Sequence, residues 1–162
     1  MITIEPPSRL SNSAVATLSR SGLARFLNRA RAAVGVDGDV EVLLTSDAVL
    51  RRLNRDFRGK DKPTDVLSFP SPEEIAHEYA GDLAISLETA ARQAASFGHA
   101  LREEVRVLML HGLLHLSGMD HETDRGEMAA REAELRRELS LPMTLIERST
   151  LVPEMIPRRR RA

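Results

Sequence analysis

The chain has no cysteine and no tryptophan, and its 162 residues include one tyrosine and four phenylalanines. Without cysteine there can be no disulfide bonds, thiolate metal ligands or cysteine nucleophile. Any metal site must therefore be built from histidine nitrogens and carboxylate oxygens, which are the strong ligands that remain.

Long hydrophobic runs are also absent, and no apolar run reaches the roughly 18 residues that a membrane span needs. The first ten residues, MITIEPPSRL, lack the basic segment and following apolar stretch of a secretion signal. We therefore expect a cytoplasmic protein with no membrane partner. The formal net charge of −1 argues against a surface that is basic throughout, so local clusters of charge matter more than their sum.

The length and the composition, 42% hydrophobic and 29% charged, are typical of one globular domain. We predict a single domain over residues 1–150 and a basic tail over residues 151–162, which ends in PRRRRA and which we expect to be disordered. Hydrophobic periodicity and capping residues predict helices at 12–33, 46–57, 86–97, 101–117 and 124–139, and strands at 39–45, 65–70 and 81–86. Together these elements predict an α+β fold with a small sheet.

The most distinctive segment is HGLLHLSGMDH, residues 111–121, which holds three of the five histidines. It begins in a helix that is apolar almost all round and is therefore expected to lie in the core. His111 and His115 are one helical turn apart, so their rings lie on one side. Gly118 allows the chain to reverse and to bring His121 back towards them. Unpartnered buried imidazoles would cost roughly 1–3 kcal/mol each, and a metal ion bound to all three removes that cost.

The spacing H-x-x-x-H-x-x-G-x-x-H is the one with which metzincin proteases hold zinc. Three histidines without a fourth ligand indicate an open, catalytic coordination position, although Asp120 or Glu122 is an alternative ligand that would close it. In H-E-x-x-H enzymes the residue after the first histidine is the glutamate that acts as general base. That position is Gly112 here, so peptide hydrolysis lacks its base. Two explanations of the glycine are open, the close approach of backbone or substrate and the packing of the helix.

Three segments, LNRDFRGKDKPTDVLSFP, GDLAIS and HGLLHLSGMDHE, follow in this order over residues 53–122, and together they resemble the bacterial endoribonuclease YbeY family. The resemblance implies a single zincin-like α+β domain, with a small mixed sheet packed against helices and a metal site at the C-terminal end of a buried helix. It implies one Zn²⁺ per chain on His111, His115 and His121, and Arg58 as the functional arginine that faces the site.

The same resemblance implies a zinc-dependent endoribonuclease that is specific for single strands. Its expected role is the maturation of the 3′ end of 16S ribosomal RNA and ribosome quality control. The implied partners are ribosomal RNA and the ribosome or its small subunit, with ribosomal proteins or an assembly GTPase as further candidates. Water and the RNA 2′-hydroxyl are both compatible with the sequence as nucleophile.

A cluster of positive charge precedes the segment PTDVLSF and gives candidate contacts for an RNA backbone. Its members besides Arg58 are Arg51, Arg52, Arg55, Lys60 and Lys62. A solvated helix face is the alternative interpretation, since the helical members need not point the same way. Because aromatic residues are few, we expect phosphate contacts rather than base stacking to dominate RNA binding.

Two carboxylates are candidates to orient a ligand imidazole by a hydrogen bond, namely Asp120 and Asp82. For Asp82 a structural hydrogen bond is the alternative. Two other functions are also open for the chain. A noncatalytic, zinc-stabilised ribosome-assembly factor would have a fourth protein ligand on the metal, and a zinc peptidase would need a base that position 112 does not provide.

Overall fold

The computed structural model describes residues 1–149, so the tail predicted over 151–162 lies outside the described residues. The strands are β1 (Ile2–Ile4), β2 (Asp39–Thr45), β3 (Val66–Pro70) and β4 (Tyr79–Ser86), and a short 3₁₀ helix covers Glu73–Ile75. The helices of this range are α1 (Asn12–Ala16), α2 (Arg20–Val34), α3 (Asp47–Arg58), α4 (Leu87–Phe97), α5 (Leu101–Leu116), α6 (Glu127–Glu138) and α7 (Leu145–Ser149). None of the helices described is long and apolar enough to cross a membrane.

The four strands form one mixed sheet in the order β1-β2-β4-β3. Strands β1, β2 and β4 are parallel, whereas β3 runs antiparallel to β4 and lies at an edge of the sheet. Successive side chains of β2 point to opposite faces of the sheet, and Val40, Val42 and Leu44 on one face are almost completely buried, as the sequence pattern predicts. The predicted α+β class with a small mixed sheet packed against helices is confirmed.

Helix α5 is the centre of the core, and ten of its 16 residues are buried. It packs against the sheet at Gly112, where the backbone approaches β3 and β4 closely. A Cβ atom at this position would lie 2.7 Å from Leu83 Cδ2 and 3.3 Å from Ser68 Oγ. The Ser68 hydroxyl donates a hydrogen bond of 3.2 Å to the Gly112 carbonyl oxygen. The glycine is therefore explained by the close approach of the helix backbone to the sheet, which is also how the helix packs here, and no substrate is needed to account for it.

Two features of the N-terminal region differ from the sequence-based prediction. The helix predicted over 12–33 is two helices, because the Ser19 hydroxyl accepts a hydrogen bond from the Gly22 N–H and caps a new helix there. The strand β1 was not predicted, since three residues are too few to show a periodic pattern; its pairing with β2 places Ile2 beside Val42. Neither difference changes the sheet strands that flank α5.

The helix predicted from 124 begins at Glu127 instead. Gly126 lies in the left-handed region at φ 101° and precedes the helix. The carboxylate of Asp124 still accepts a hydrogen bond of 2.8 Å from the Met128 N–H, and Glu127 accepts one of 2.6 Å from the Arg125 N–H. The side chains of Asp124 and Glu127 thus accept hydrogen bonds from backbone N–H groups around the start of the helix, although the N-cap residue itself is Gly126.

Replacing Gly112 by valine is expected to lower the free energy of unfolding by about 1–3 kcal/mol, because the new side chain overlaps the buried Leu83 and the sheet cannot recede without repacking. Urea denaturation of the metal-free protein measures the change. Ala130→Val is the matched control, since Ala130 lies on the exposed face of α6, and it should change the free energy by no more than about 0.5 kcal/mol. Equal effects of the two substitutions would contradict the packing explanation.

Candidate metal centre

The three clustered histidines converge on one point. His111 and His115 lie one turn apart near the end of α5, and Gly118 at φ 99° turns the chain so that the following loop brings His121 to them. The ring centroids are 4.8, 5.2 and 5.3 Å apart, and one nitrogen of each ring lies within 4.8 Å of the others. The structure thus brings together the residues that the sequence spacing selected as metal ligands.

The nitrogen atoms of this cluster fit a metal ion better than a hydrogen-bonded network. Nε2 of His111 lies 3.2 Å from Nε2 of His115, and Nδ1 of His121 is buried without a hydrogen-bond partner. Burial, together with the nearby charges of His111 and His121, lowers the pKa of His115, which favours the neutral imidazole that binds metals. A set of three imidazole nitrogens suits Zn²⁺, a cation of borderline softness that commonly takes histidine ligands.

The carboxylate of Glu132 in α6 holds the first of these histidines. Its Oε2 lies 2.8 Å from Nδ1 of His111, and its Oε1 accepts a hydrogen bond of 3.1 Å from the Ile146 N–H. Burial raises the pKa of Glu132, but the hydrogen bonds and the charge interaction with His111 outweigh burial and lower it overall. An ionised carboxylate only accepts hydrogen bonds, so Nδ1 of His111 carries the proton and Nε2 is free to face the metal.

Glu132 was missed by the sequence analysis, although one signal for it exists. It is fully buried and lies on the same face of α6 as Met128 and Leu135, which are also fully buried. The three residues are spaced as an apolar stripe of a helix. A glutamate in the middle of such a stripe needs a buried partner, and the histidine cluster is the natural place to look for one.

The two carboxylates that were predicted to orient a ligand imidazole make other contacts. Asp82 in β4 accepts a hydrogen bond from the Tyr79 hydroxyl, and burial together with this carboxylate raises the pKa of Tyr79 to about 12. Asp120 is exposed, and its Oδ1 accepts a hydrogen bond of 3.0 Å from the Glu122 N–H within the loop that carries His121. Within residues 1–149, Glu132 rather than either aspartate is hydrogen-bonded to a clustered histidine.

The histidine cluster opens into a groove with a volume of about 1360 Å³. Arg58, the last residue of α3, lines the same groove and is exposed. Gly59 ends the helix at φ 67°, so the chain turns away immediately after this arginine. No acidic side chain of the described part of the chain forms a salt bridge with Arg58. Its guanidinium is therefore available to an anionic ligand in the groove.

The other basic residues of the predicted RNA-binding cluster do not line this groove. Arg51 forms a salt bridge of 2.8 Å with Asp61, and Arg55 forms one of 3.2 Å with its neighbour Asp56. The three that remain, Arg52, Lys60 and Lys62, have exposed side chains. The structure thus separates Arg58 from the cluster, and contact of the other five with RNA stays a prediction.

An α+β fold whose buried helix and following loop present three converging histidines defines a candidate metalloprotein. The family model described as "Endoribonuclease YbeY" matches residues 5–140. The chain belongs to this family, and the resemblance seen in the three sequence segments is confirmed.

Individual relatives agree with the family model. The chain is 57% identical over 136 residues to the endoribonuclease YbeY of Koribacter versatilis, an alignment that covers 84% of this chain and 88% of that protein. It is 46% identical over 110 residues to the endoribonuclease YbeY of Helicobacter pylori strain 26695, covering 68% and 78% of the two chains. The solution structure of TM1509 from Thermotoga maritima is similar with a TM-score of 0.51 at 29% identity, over 86% of this chain and 89% of that one.

Substituting Glu132 by glutamine should weaken Zn²⁺ binding by about 10–100-fold. The amide would accept from Ile146 and donate towards Nδ1 of His111, which moves the ring proton to the nitrogen that has to face the metal. Competition with a chromogenic chelator measures the dissociation constant. Glu134→Gln on the exposed face of the same helix is the control and should leave the constant unchanged. An unaltered affinity in the Glu132 variant would show that the carboxylate does not orient the ligand.

Proposed function

We propose that the protein is a metal-dependent endoribonuclease that cuts single-stranded RNA, with one Zn²⁺ per chain as its cofactor. Family membership supports RNA as the substrate, because the curated relatives carry the name endoribonuclease. The observation that carries the proposal is the convergence of His111, His115 and His121 in the groove that Arg58 also lines. Ligands for a cation and a free positive charge for a phosphate thus lie in one cleft.

When bound, zinc would supply a Lewis acid and lower the pKa of a coordinated water towards about 7, so that hydrolysis does not need an adjacent glutamate. The chain's own contribution is to hold three neutral imidazoles and to leave a further coordination position open. Among the described residues the cluster of potential ligands consists of the three histidines alone. This favours catalysis over the noncatalytic assembly factor, whose metal would be closed by a fourth protein ligand.

Arg58 is suited to hold the scissile phosphate. A guanidinium can donate two parallel hydrogen bonds to phosphate oxygens, which fixes the orientation of the group and neutralises its charge. The developing negative charge of the transition state is stabilised in the same way. Both candidate nucleophiles, a coordinated water and the RNA 2′-hydroxyl, are compatible with this role of the arginine.

The packing at Gly112 disfavours the alternative of a zinc peptidase. The H-E-x-x-H enzymes carry their general base at this position, where the present structure has Leu83 and Ser68 against the glycine. A glutamate side chain would have to displace both of them.

The biological role that we propose is maturation of the 3′ end of 16S ribosomal RNA and ribosome quality control in the cytoplasm. The resemblance to the family supports this role. The corresponding partners are ribosomal RNA, the ribosome or its small subunit, and ribosomal proteins or an assembly GTPase. Purification of the tagged protein from cells, followed by sequencing of cross-linked RNA, tests the role directly, since enrichment of sequences other than ribosomal RNA would contradict it.

The metal-loaded protein should cut a single-stranded RNA, leave a stably base-paired RNA of the same composition intact and not degrade casein. A chelator should abolish cleavage, and added Zn²⁺ should restore it, because the imidazoles bind the metal reversibly. Gel electrophoresis of labelled substrates measures the products. His121→Ala, prepared in parallel, excludes a contaminating nuclease. Chelator-resistant cleavage, or digestion of casein, would refute the proposed activity.

Arg58→Glu should abolish RNA cleavage while zinc remains bound, because the substitution repels the phosphate without altering any imidazole. We expect kcat/KM to fall by at least about 100-fold, the scale of removing one transition-state donor. Arg25→Glu, an exposed arginine of α2, makes the same change of charge outside the groove and should retain activity. The zinc content of both variants is measured by elemental analysis. Cleavage retained by the Arg58 variant would exclude the role of this residue.

A further inference from the structure

The short helix α7 lies beyond the residues that the family model matches, yet it contacts the metal centre. The matched region ends at residue 140, whereas α7 spans Leu145–Ser149. Ile146 and Arg148 of this helix line the same groove as the three histidines. The C-terminal segment therefore takes part in a site whose ligands come from α5 and from the loop that follows it.

One continuous set of hydrogen bonds joins α7 to the first metal ligand. The Ile146 N–H donates to Oε1 of Glu132 over 3.1 Å, and Oε2 of the same carboxylate accepts from Nδ1 of His111 over 2.8 Å. Glu132 is fully buried, so water does not compete for either oxygen. Because both oxygens are held, the carboxylate cannot rotate, and the plane of the His111 ring is fixed with it.

Arg148 fastens α7 to the body of the protein. Its Nη1 lies 2.5 Å from Oε1 of Glu104 in α5, and its Nε donates to the Met143 carbonyl oxygen over 3.0 Å. The guanidinium lies 4.3 Å from the ring centroid of Phe97 in α4. Glu104 is fully buried, and its other oxygen lies 3.1 Å from Nε2 of His99. These contacts hold α7 against two helices and fix where its backbone meets Glu132.

We propose that α7 is a positioning element of the metal centre, with Arg148 as the residue that fastens it and the Ile146 N–H as the group that acts on Glu132. The inference rests on the metal-dependent function proposed above. Without the N–H, Glu132 keeps only the Thr144 hydroxyl and His111 as partners, and the carboxylate gains freedom to turn away from His111. We therefore expect weaker metal binding and an altered geometry of the metal ligands, in addition to any decrease in the stability of the fold.

The sharpest test compares Ile146→Pro with Ile146→Val in the full-length protein. Both substitutions leave a small apolar side chain, but only proline removes the N–H, and it does so in the first turn of α7, where helices tolerate proline. We expect the proline variant to bind Zn²⁺ about tenfold more weakly, and the valine variant to stay within about twofold of the unchanged protein. The visible spectrum of the Co²⁺-substituted protein should change for proline alone, since it reports ligand geometry.

Two outcomes would overturn the inference. If both variants bind Zn²⁺ like the unchanged protein, α7 does not position the site. If both weaken binding equally, packing of the side chain and not the hydrogen bond is responsible.

A second pair of variants tests the inference if circular dichroism shows that the proline variant does not fold. The test variant combines Arg148→Met with Glu104→Gln, so that no buried carboxylate is left unpaired. Arg131→Met is its control, because Arg131 ties α6 to α2 through the Ala33 carbonyl oxygen.

The combined variant should lose about tenfold in Zn²⁺ affinity, whereas the Arg131 variant should stay within about twofold even if its melting temperature falls similarly. Unchanged affinity in the combined variant would overturn the inference. All of these measurements use zinc or cobalt and no RNA, so they separate this inference from the proposed activity. If the unchanged protein bound no zinc, the metal-dependent function itself would fail.

Discussion

One buried and one half-buried imidazole at the end of a core helix are the constraint on which the rest of the site depends. Helix α5 is buried because its sequence is apolar on nearly every side, and His111 and His115 are carried into the protein with it. Neutral imidazoles cannot satisfy both ring nitrogens against hydrocarbon, so each needs a specific partner. Glu132 supplies one for His111. Nε2 of His111 lies 3.2 Å from Nε2 of His115, and the ring of His121 lies beside both, an arrangement that a shared cation satisfies.

The position of the sheet against α5 then decides what chemistry is within reach. Because residue 112 is glycine, the helix lies directly on Leu83 and Ser68, and the histidines come close to the edge strand β3. The same contact occupies the place where a peptidase would have its base. Close packing of the core and the absence of that base are thus two consequences of one residue, and under the proposed function hydrolysis would rely on the metal and on groups from other elements.

The convergence of the three histidines and most elements could be predicted from the sequence because their signals are local. The helical spacing of His111 and His115, the turn at Gly118 and the alternation of β2 are each visible within about a dozen residues. Glu132 is harder to assign that way, since its partner is 21 residues away and its position in an apolar stripe of α6 does not show which group it contacts. The contact from Ile146 was missed for the same reason. The break at Ser19 was missed because a single capping residue interrupted an otherwise continuous pattern.

The distribution of ion pairs explains why one arginine stands out from a basic segment. Spacings of four and three residues place Arg51, Arg55 and Arg58 on one face of α3, so position on the helix alone does not distinguish them. Asp61 and Asp56 neutralise the first two, and an exposed pair of this kind adds little stability but cancels local charge. Arg58, which has no acidic partner among residues 1–149, keeps its full charge beside the histidines. Under the proposed function, an RNA backbone drawn to this face would therefore be attracted most strongly beside the three histidines.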